Sequence, residues 1–230
     1  MPFGKFLKKC KVIFLKLEPI AFIENDYKEK FGIPRQSGLV GLTSRIVFEE
    51  NYADENALRG LEEFTHIWLI WGFSEVEGGF SPTVRPPRLG GNVRKGVFAT
   101  RSPFRPNPLG LSAVKLVDIK RGVITVSGAD LMNGTPIYDI KPYLPYVDSI
   151  PNAANGWALT DHRGTLQVEF PEELLRKIPV DKRRGLMELL AQDPRPQYQN
   201  DPGRVYTFTF GEQEISFSAE NGRIIVTDIK

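Results

Sequence analysis

The strongest chemical pattern in this sequence is a proline-rich basic segment, residues 81–111. It contains five arginines, one lysine and six prolines, and neither aspartate nor glutamate. An arginine side chain presents a planar fork of donors that matches phosphate and carboxylate groups, and it also stacks on bases. Prolines stiffen the backbone, so less entropy is lost when a ligand binds. The basic segment therefore favours an anionic ligand. The alternative is that its arginines pair with acids elsewhere in the fold, such as Glu75, Glu77, Asp130 and Asp139.

The overall composition is that of an ordinary globular protein. The chain has 230 residues, of which 30 are basic and 28 acidic, so an electrostatic argument depends on where the charges lie. The single cysteine, Cys10, excludes an intrachain disulfide, and with only two histidines we expect no metal site. Lys11 and Lys16 interrupt the apolar N-terminal run, and no run approaches the roughly 18 apolar residues of a membrane span. We therefore expect a cytoplasmic protein without a membrane segment.

Short runs of alternating residues predict a β-rich main domain. Residues 40–48 alternate and are rich in β-branched side chains, and residues 110–131 form two alternating runs joined by a tight turn, which predicts a hairpin. Residues 65–73 are almost wholly apolar and predict a strand buried on both faces. Residues 54–64 have helical spacing, with Asp54 as a suitable N-cap.

The C-terminal part of the chain has a different pattern. Residues 171–192 predict two helices that meet near Pro179, and residues 203–229 predict three strands. The strand–helix alternation and the G-x-G-x-x-G motif of a dinucleotide-binding domain are both missing from the sequence. We therefore expect a mainly β protein, with a barrel or sandwich as its main domain. The expected parts are an N-terminal extension (1–18), the β-rich domain (19–155) and a small α+β domain (156–230).

Within the basic segment, the run "RPPRLGGNVRKGVFATRSPFRPNPLGLS" closely resembles the signature of the TrmO family of tRNA methyltransferases. Four further stretches are similar to that family in the same order: residues 27–40, 61–70, 130–146 and 189–198. The resemblance covers roughly residues 19–210. Several long motifs in one order make a chance match improbable.

The resemblance implies a fold, an activity and a partner. It implies a single-sheet β-barrel as the main domain. The implied reaction uses S-adenosyl-L-methionine to methylate N6 of N6-threonylcarbamoyladenosine, which lies beside the anticodon of threonine tRNAs. The implied assembly is a homodimer with the cofactor site near the subunit interface. Threonylcarbamoyladenosine carries a carboxylate, which is a natural target for an arginine fork.

The resemblance also implies a set of cofactor-binding residues. In "PRQ", Arg35 is a candidate for the methionine carboxylate, although the motif alone is merely typical of a turn. Phe73 and Ser74 close the apolar strand, and Arg101 follows in "ATRS". The backbone and the carboxylate of "GADL" are candidates for the adenine or ribose. The full set is Pro34, Arg35, Gln36, Phe73, Ser74, Arg101, Leu111, Gly128, Ala129, Asp130 and Leu131.

Two residues are candidates for the chemical step. Asp139 and Lys141 in "YDIKPY" could orient the acceptor or take up its N6 proton, because ionisable groups near an apolar site can be tuned for proton transfer. His66, in an apolar run, is more typical of a core histidine. Many members of the family that the chain resembles have "DGTP" where this chain has "NGTP", so Asn133 weakens any claim that a carboxylate is needed at that position. The residues assigned to the tRNA backbone and modified base are Arg85, Arg88, Arg94, Lys95 and Arg105.

Two rival functions remain open at this point. A non-catalytic RNA-binding module could use the same basic segment, and it would bind tRNA in a salt-sensitive way without affinity for S-adenosylmethionine. A methyltransferase acting on another small acceptor would bind the cofactor and be indifferent to tRNA. The C-terminal stretch 193–198 could either help to close the site or pack the small domain onto the barrel.

Overall fold

The computed structural model describes residues 16–89, 91–160, 165–195, 201 and 203–230. Residues 1–15 of the expected N-terminal extension therefore lie outside the described residues, as does the second half of the stretch 193–198, residues 196–198. The side chains of Arg88, Leu159 and Thr160 are also not described.

Six antiparallel strands close into one barrel, as the family resemblance implied. The barrel order is β1-β2-β7-β6-β3-β8, with β8 pairing back to β1. A two-stranded ribbon, β4 with β5, lies within the basic segment. The bounds of these strands are β1 Ala21–Glu24, β2 Thr43–Phe48, β3 His66–Gly72, β4 Thr83–Val84, β5 Lys95–Gly96, β6 Leu109–Lys120, β7 Val123–Ser127 and β8 Pro136–Pro142.

The barrel interior is filled by alternate residues of its strands, because successive side chains of a strand point to opposite faces. On β3, Ile67, Leu69 and Trp71 are buried, whereas Trp68 and Ile70 are only half-buried. The expectation that this strand is buried on both faces is therefore wrong. His66 is exposed, so it is not a core histidine; its Nδ1 lies 3.0 Å from the hydroxyl of Thr65.

Local elements follow the sequence closely where turns are specified by glycine. The β6–β7 hairpin forms as expected, with Arg121 and Gly122 both at positive φ. Residues 54–64 form two short 3₁₀ turns, Glu55–Leu58 and Leu61–Glu63, instead of the expected helix. Gly60 between these turns has a φ of 86°, which ends the helical path. Asp54 does cap the first turn, accepting from the amide of Asn56 at 2.8 Å.

The C-terminal part forms a small α+β domain, also as expected. Its sheet has the order β10-β11-β12-β9, and β9 pairs parallel to β12, a strand that the sequence pattern did not reveal. Two helices meet at Pro179, as predicted, and a short helix follows the barrel. The bounds are α1 Pro145–Asp148, β9 Gln167–Glu169, α2 Glu172–Leu175, α3 Val180–Ala191, β10 Tyr206–Phe210, β11 Gln213–Glu220 and β12 Arg223–Ile229.

The connection between β1 and β2, residues 25–42, joins the two domains. Tyr27, Val40 and Leu42 are buried in the apolar core of the C-terminal domain, although they lie between two barrel strands. The backbone of Tyr27 also forms a β-bridge with Phe210. This connection carries Arg35 and Gln36, so the C-terminal domain helps to fix where they lie. None of the helices among the described residues is long and apolar enough to cross a membrane.

Candidate functional site

The predicted cofactor residues converge on one end of the barrel, called here the barrel mouth. The mouth is formed where β3 and β7 end and where β2 and β6 begin, since these neighbouring strands are antiparallel. The chain approaches itself closely at this end: the amide of Gly38 donates to the carbonyl oxygen of Gly128 at 2.9 Å. Gly128 has a φ of 87°, and a Cβ there would lie 3.2 Å from the backbone of Gly38. Only glycine suits that position.

A chain of polar contacts crosses the barrel mouth. The indole nitrogen of Trp71 donates to the hydroxyl of Ser112 at 3.0 Å, and that hydroxyl donates to Oδ1 of Asp130 at 2.5 Å. The rings of Trp71 and Phe73 lie edge to face, with centroids 4.4 Å apart. Hydrogen-bonding groups and aromatic surface thus meet at one place, which is typical of a small-molecule site. We call Trp71, Ser112 and Asp130 the polar chain.

Asp130 is the ionisable group of the polar chain. Burial raises the pKa of its carboxyl group, because desolvation disfavours the charged form. The hydrogen bond from Ser112 and the positive charge of Arg101 act in the opposite direction but do not cancel the effect. A partly desolvated carboxylate is stabilised by an arriving cation or hydroxyl donor, so Asp130 is suited to hold one.

Arg101 and Gln36 meet at the edge of the same site. A guanidinium nitrogen of Arg101 donates to Oε1 of Gln36, although the two residues are far apart in the sequence. Gln36 in turn donates to the carbonyl oxygen of Arg35 at 2.5 Å. Arg35 donates to the main-chain oxygen of Asp193 at 2.6 Å, so its guanidinium also contacts the C-terminal domain. The suggested contact between Arg35 and a methionine carboxylate stays a prediction.

The remaining predicted cofactor residues differ in how far their side chains are exposed to solvent. Ala129 and Leu131 are buried in the barrel core, so only their backbone groups are suited to contact a ligand. Pro34 is buried too. Ser74 is exposed, and Leu111 lies on the outer face of β6 with 56% of its surface accessible.

Sequence reasoning missed Trp71 and Ser112. A signal for them was present: they alternate with outward residues and so point into the barrel, where an indole N–H and a hydroxyl need partners.

The two residues predicted for proton transfer lie on the outer wall of the barrel. Lys141 Nζ and Asp139 Oδ2 form an ion pair at 2.7 Å, and both side chains are well exposed. The strand register sets Asp139 beside Ile70, which is itself opposite Leu111. The pair is therefore near Leu111 but outside the polar chain, and its chemical role stays a prediction.

The cations of the basic segment divide into exposed and internally bonded groups. Arg85 and Arg101 are exposed, and Arg94 is exposed while donating to the hydroxyl of Thr83 at 2.8 Å. Arg105 instead points inward, and Nη1 donates to the carbonyl oxygens of residues 97 and 100. Within the part of the chain that the structure describes, no ion pair joins these cations or Lys95 to an acid. The structure therefore shows no ion pair of the kind that the alternative required among these described residues, although the charge of Arg101 acts on the carboxyl group of Asp130 in the direction that lowers its pKa.

A separate polar cleft of about 490 Å³ opens where the barrel meets the C-terminal domain. Two of the cations that line it, Arg45 and Lys182, are already paired with Glu24 and Asp26. None of the predicted site residues lines this cleft. We favour the barrel mouth because the chemically distinctive side chains meet there.

Comparison with known proteins identifies the family to which both parts of the chain are similar. The family model described as the tRNA-methyltransferase O N-terminal domain matches residues 22–149, and the TrmO C-terminal domain model matches residues 163–230. A tRNA (adenine(37)-N6)-methyltransferase of Escherichia coli K12 is 44% identical over 207 residues, which is 83% of this chain and 87% of that protein. A protein of the same name from Eikenella corrodens is 48% identical over 168 residues, covering 71% of this chain and 95% of that one.

A solved structure shares the whole architecture. The crystal structure of TrmO from Pseudomonas aeruginosa superposes with a TM-score of 0.77 and 30% identity, covering 95% of this chain and 100% of that one. Both domains, their order and the barrel topology thus agree with one family, and this chain belongs to the TrmO family.

Proposed function

We propose that this protein transfers a methyl group from S-adenosylmethionine to N6 of adenosine 37 in tRNA. The observation that carries the proposal is the match to TrmO over both domains, together with the meeting of the matched motifs at the barrel mouth. Residues from the connection 25–42, from the basic segment and from the end of β7 come together there. Positioning of two reactants is the main task in such a transfer, and a rigid barrel end suits it.

The residues at the barrel mouth fit the cofactor. S-adenosylmethionine supplies a methyl group on a positively charged sulfonium, together with an adenosine and an amino-acid end. The carboxylate of Asp130 suits a cation or a ribose hydroxyl, and the half-buried ring of Phe73 and the backbone of 128–131 suit the adenine. Arg101 is suited to a carboxylate.

The protein's own groups have two further tasks during the transfer. The acceptor N6 must be held in line with the methyl group, and its proton must leave during or after the attack. Asp139 is the predicted base, and its carboxylate lies 2.7 Å from Nζ of Lys141, which could orient it toward the acceptor. Because this pair lies on the outer wall, the acceptor base would have to enter from the side of Leu111.

The finer substrate is N6-threonylcarbamoyladenosine in threonine tRNA. Its threonyl carboxylate and the neighbouring phosphates are anions, and the exposed guanidinium groups of Arg85 and Arg94 are free of acidic partners among the described residues. A cytoplasmic location follows from this acceptor, and cell fractionation that finds the chain elsewhere would contradict it.

We infer in addition that two copies associate. Apolar side chains are exposed on α1, just after α1 and on the outer wall of β6. The strand register brings Leu111 near Asp139. The bond from Trp68 to Asp148 holds α1 against the strand that pairs with Lys141. The exposed apolar side chains are Leu111, Tyr146, Val147 and Ile150. Burying such residues against a second copy would remove apolar surface from water and would bring the partner close to the candidate site.

Transfer of labelled methyl groups from S-adenosylmethionine to threonine tRNA tests the proposal. Transcripts with and without the threonylcarbamoyl group should differ, with incorporation only into the modified tRNA. Arg101→Ala should weaken cofactor binding roughly tenfold, whereas Arg85→Ala should weaken tRNA binding and reduce its salt dependence by about one phosphate contact.

One result would count against the proposed methyl transfer, and another would count against the proposed dimer. Salt-sensitive tRNA binding without calorimetric affinity for S-adenosylmethionine would favour the non-catalytic RNA-binding module. Sedimentation of the same preparation as a 26.0 kDa monomer at all concentrations would contradict the dimer.

A further inference from the structure

Phe98 is the most exposed aromatic side chain of the basic segment. It lies in the middle of a 3₁₀ turn, Val97–Ala99, with 73% of its surface accessible. Its neighbour Val97 is 1% exposed and anchors the turn in the protein. A large apolar ring in water is unfavourable, so an exposed ring on an anchored turn requires an explanation.

The turn under Phe98 is held by several hydrogen bonds. The amide of Val97 donates to the carbonyl oxygen of Pro82 at 3.1 Å, and the hydroxyl of Thr100 donates to the carbonyl oxygen of Val97 at 2.8 Å. The indole nitrogen of Trp157, from the region between the domains, donates to the carbonyl oxygen of Ala99 at 2.9 Å. The ring is therefore presented by a fixed backbone, which lowers the entropy lost on binding.

Arg105 completes the support. Its Nη1 donates to the carbonyl oxygens of Val97 at 3.2 Å and Thr100 at 2.8 Å. Its guanidinium carbon lies over the ring of Phe98, 5.7 Å from the centroid. One region of the ring thus contacts a cation, and most of its remaining surface faces solvent.

The residues around Phe98 indicate the chemical class of its ligand. The basic segment contains no acidic residue, and its exposed cations include Arg85, Arg94 and Arg101. Aromatic rings set among cations are the usual means by which proteins hold unpaired nucleotides: bases stack on the rings and cations contact the phosphates. An apolar protein partner would instead match a continuous apolar patch without this density of charge.

We propose that Phe98 is a stacking platform for an unpaired base of the tRNA anticodon loop. The proposal rests on the tRNA acceptor proposed above and assigns it a specific contact. Arg105 acts as a positioning residue, since it bonds the turn and lies against the ring, while the exposed arginines contact the adjoining phosphates.

The test uses the full chain and an anticodon stem–loop RNA carrying 2-aminopurine at one loop position at a time. Stacking on Phe98 should quench one of these positions on binding. Phe98→Ala should abolish that quenching and raise the Kd of the RNA roughly ten- to hundredfold. In turnover it should raise KM for tRNA while leaving kcat at saturation and the Kd of S-adenosylmethionine unchanged.

Three further variants separate stacking from other causes. Phe98→Trp should restore quenching and affinity, whereas Phe98→Leu, which keeps apolar volume without a ring, should bind as weakly as Phe98→Ala. Phe104→Ala makes the same change in the same segment at a less exposed ring and should bind RNA like the parent protein.

The proposal is overturned if Phe98→Ala binds the RNA normally, if Phe98→Leu does so, or if Phe104→Ala is equally impaired. Loss of cofactor affinity in Phe98→Ala would assign the ring to the cofactor instead. If the parent protein binds the RNA but methylates nothing, the proposed function fails, while the quenching experiment still decides the role of Phe98.

Discussion

Asp130 shows how one residue can serve a ligand at the expense of stability. Because burial raises the pKa of its carboxyl group, the folded protein holds the proton more tightly than the unfolded chain. Its contribution to stability is fully present below the unfolded pKa and is lost as the pH rises through the raised folded pKa. At neutral pH the ionised group is therefore destabilising until a ligand offsets its desolvation.

Asp130→Asn should raise the melting temperature at pH 7 and make stability less dependent on pH in the acidic range. The hydrogen bond from Ser112 can persist, since the amide oxygen also accepts. Affinity for S-adenosylmethionine should fall about tenfold, because a charged acceptor is lost. Thermal unfolding against pH and calorimetry measure the two effects. Asp118→Asn, at an acid paired with Lys120 on β6, is the matched control and should change neither. Lower stability of Asp130→Asn at pH 7 would contradict the argument.

At the scale of single residues, the sequence motifs pointed to candidate site residues that composition alone could not indicate. The motifs pointed to Gln36, Arg101 and Asp130, and the structure brings all three to the barrel mouth. They could not reveal that Arg105 points inward, because its bonds to carbonyl oxygens depend on how the loop folds back. The approach of Arg101 to Gln36 likewise depends on barrel closure, which no local spacing encodes.

At the scale of elements, the barrel mouth depends on the pairing of β3 with β6. Gly110 on β6 lies opposite Trp71 on β3, and a Cβ at Gly110 would lie 2.2 Å from the indole ring. Trp71 has little freedom to move, because it is buried and bonded to Ser112. Only a residue without a side chain at position 110 leaves room for the indole ring of Trp71 to lie against β6.

Gly110→Ala should displace Trp71 and break its bond to Ser112, with a loss of about 1–3 kcal/mol in the free energy of unfolding. Denaturant unfolding measures this loss, and tryptophan fluorescence should report a changed environment. Gly96→Ala, where a Cβ meets nothing within 4 Å and φ is negative, is the control and should be close to neutral. Equal stability of the two variants would show that the ring has room to shift.

Sequence patterns predicted an element best where its residues gave one clear local signal, such as strand alternation, a turn glycine or a helix-breaking proline. The β6–β7 hairpin followed from alternation and a turn glycine, and the break at Pro179 followed from proline chemistry. The pattern over 54–64 was misleading because helical spacing also suits two 3₁₀ turns that cover the barrel, and Gly60 decides between them. β9 was missed because three residues give too little alternation, and its parallel pairing with β12 is non-local.

At the scale of the whole molecule, the core of the C-terminal domain includes residues from the connection 25–42, which a division of the chain at residue 155 conceals. The connection 25–42 lies between barrel strands, yet it supplies Leu42 to the C-terminal core, where Leu42 packs against Gly185 of α3. The amide of Gly41 donates to Glu188 at 2.8 Å, and Lys182 pairs with Asp26 at 2.8 Å. We expect the domains to unfold in one transition, since the C-terminal core is incomplete without this connection, which is itself held between two barrel strands.

Leu42→Ala tests whether that connection links stability to function. The side chain is 6% exposed, so its truncation leaves a cavity and should reduce the free energy of unfolding by about 2–4 kcal/mol. The same loosening should reach Arg35 and Gln36 and weaken S-adenosylmethionine binding several-fold, although Leu42 is not itself one of the predicted ligand-binding residues.

The matched control is Leu39→Ala, at a side chain 39% exposed in the same connection, which should change neither the stability nor the cofactor affinity. Calorimetry that resolves two separate unfolding transitions, or a destabilised Leu42→Ala with unchanged cofactor affinity, would mean that the C-terminal domain does not position the site. Since Arg35 also donates to the main chain of Asp193, we expect the coupled result.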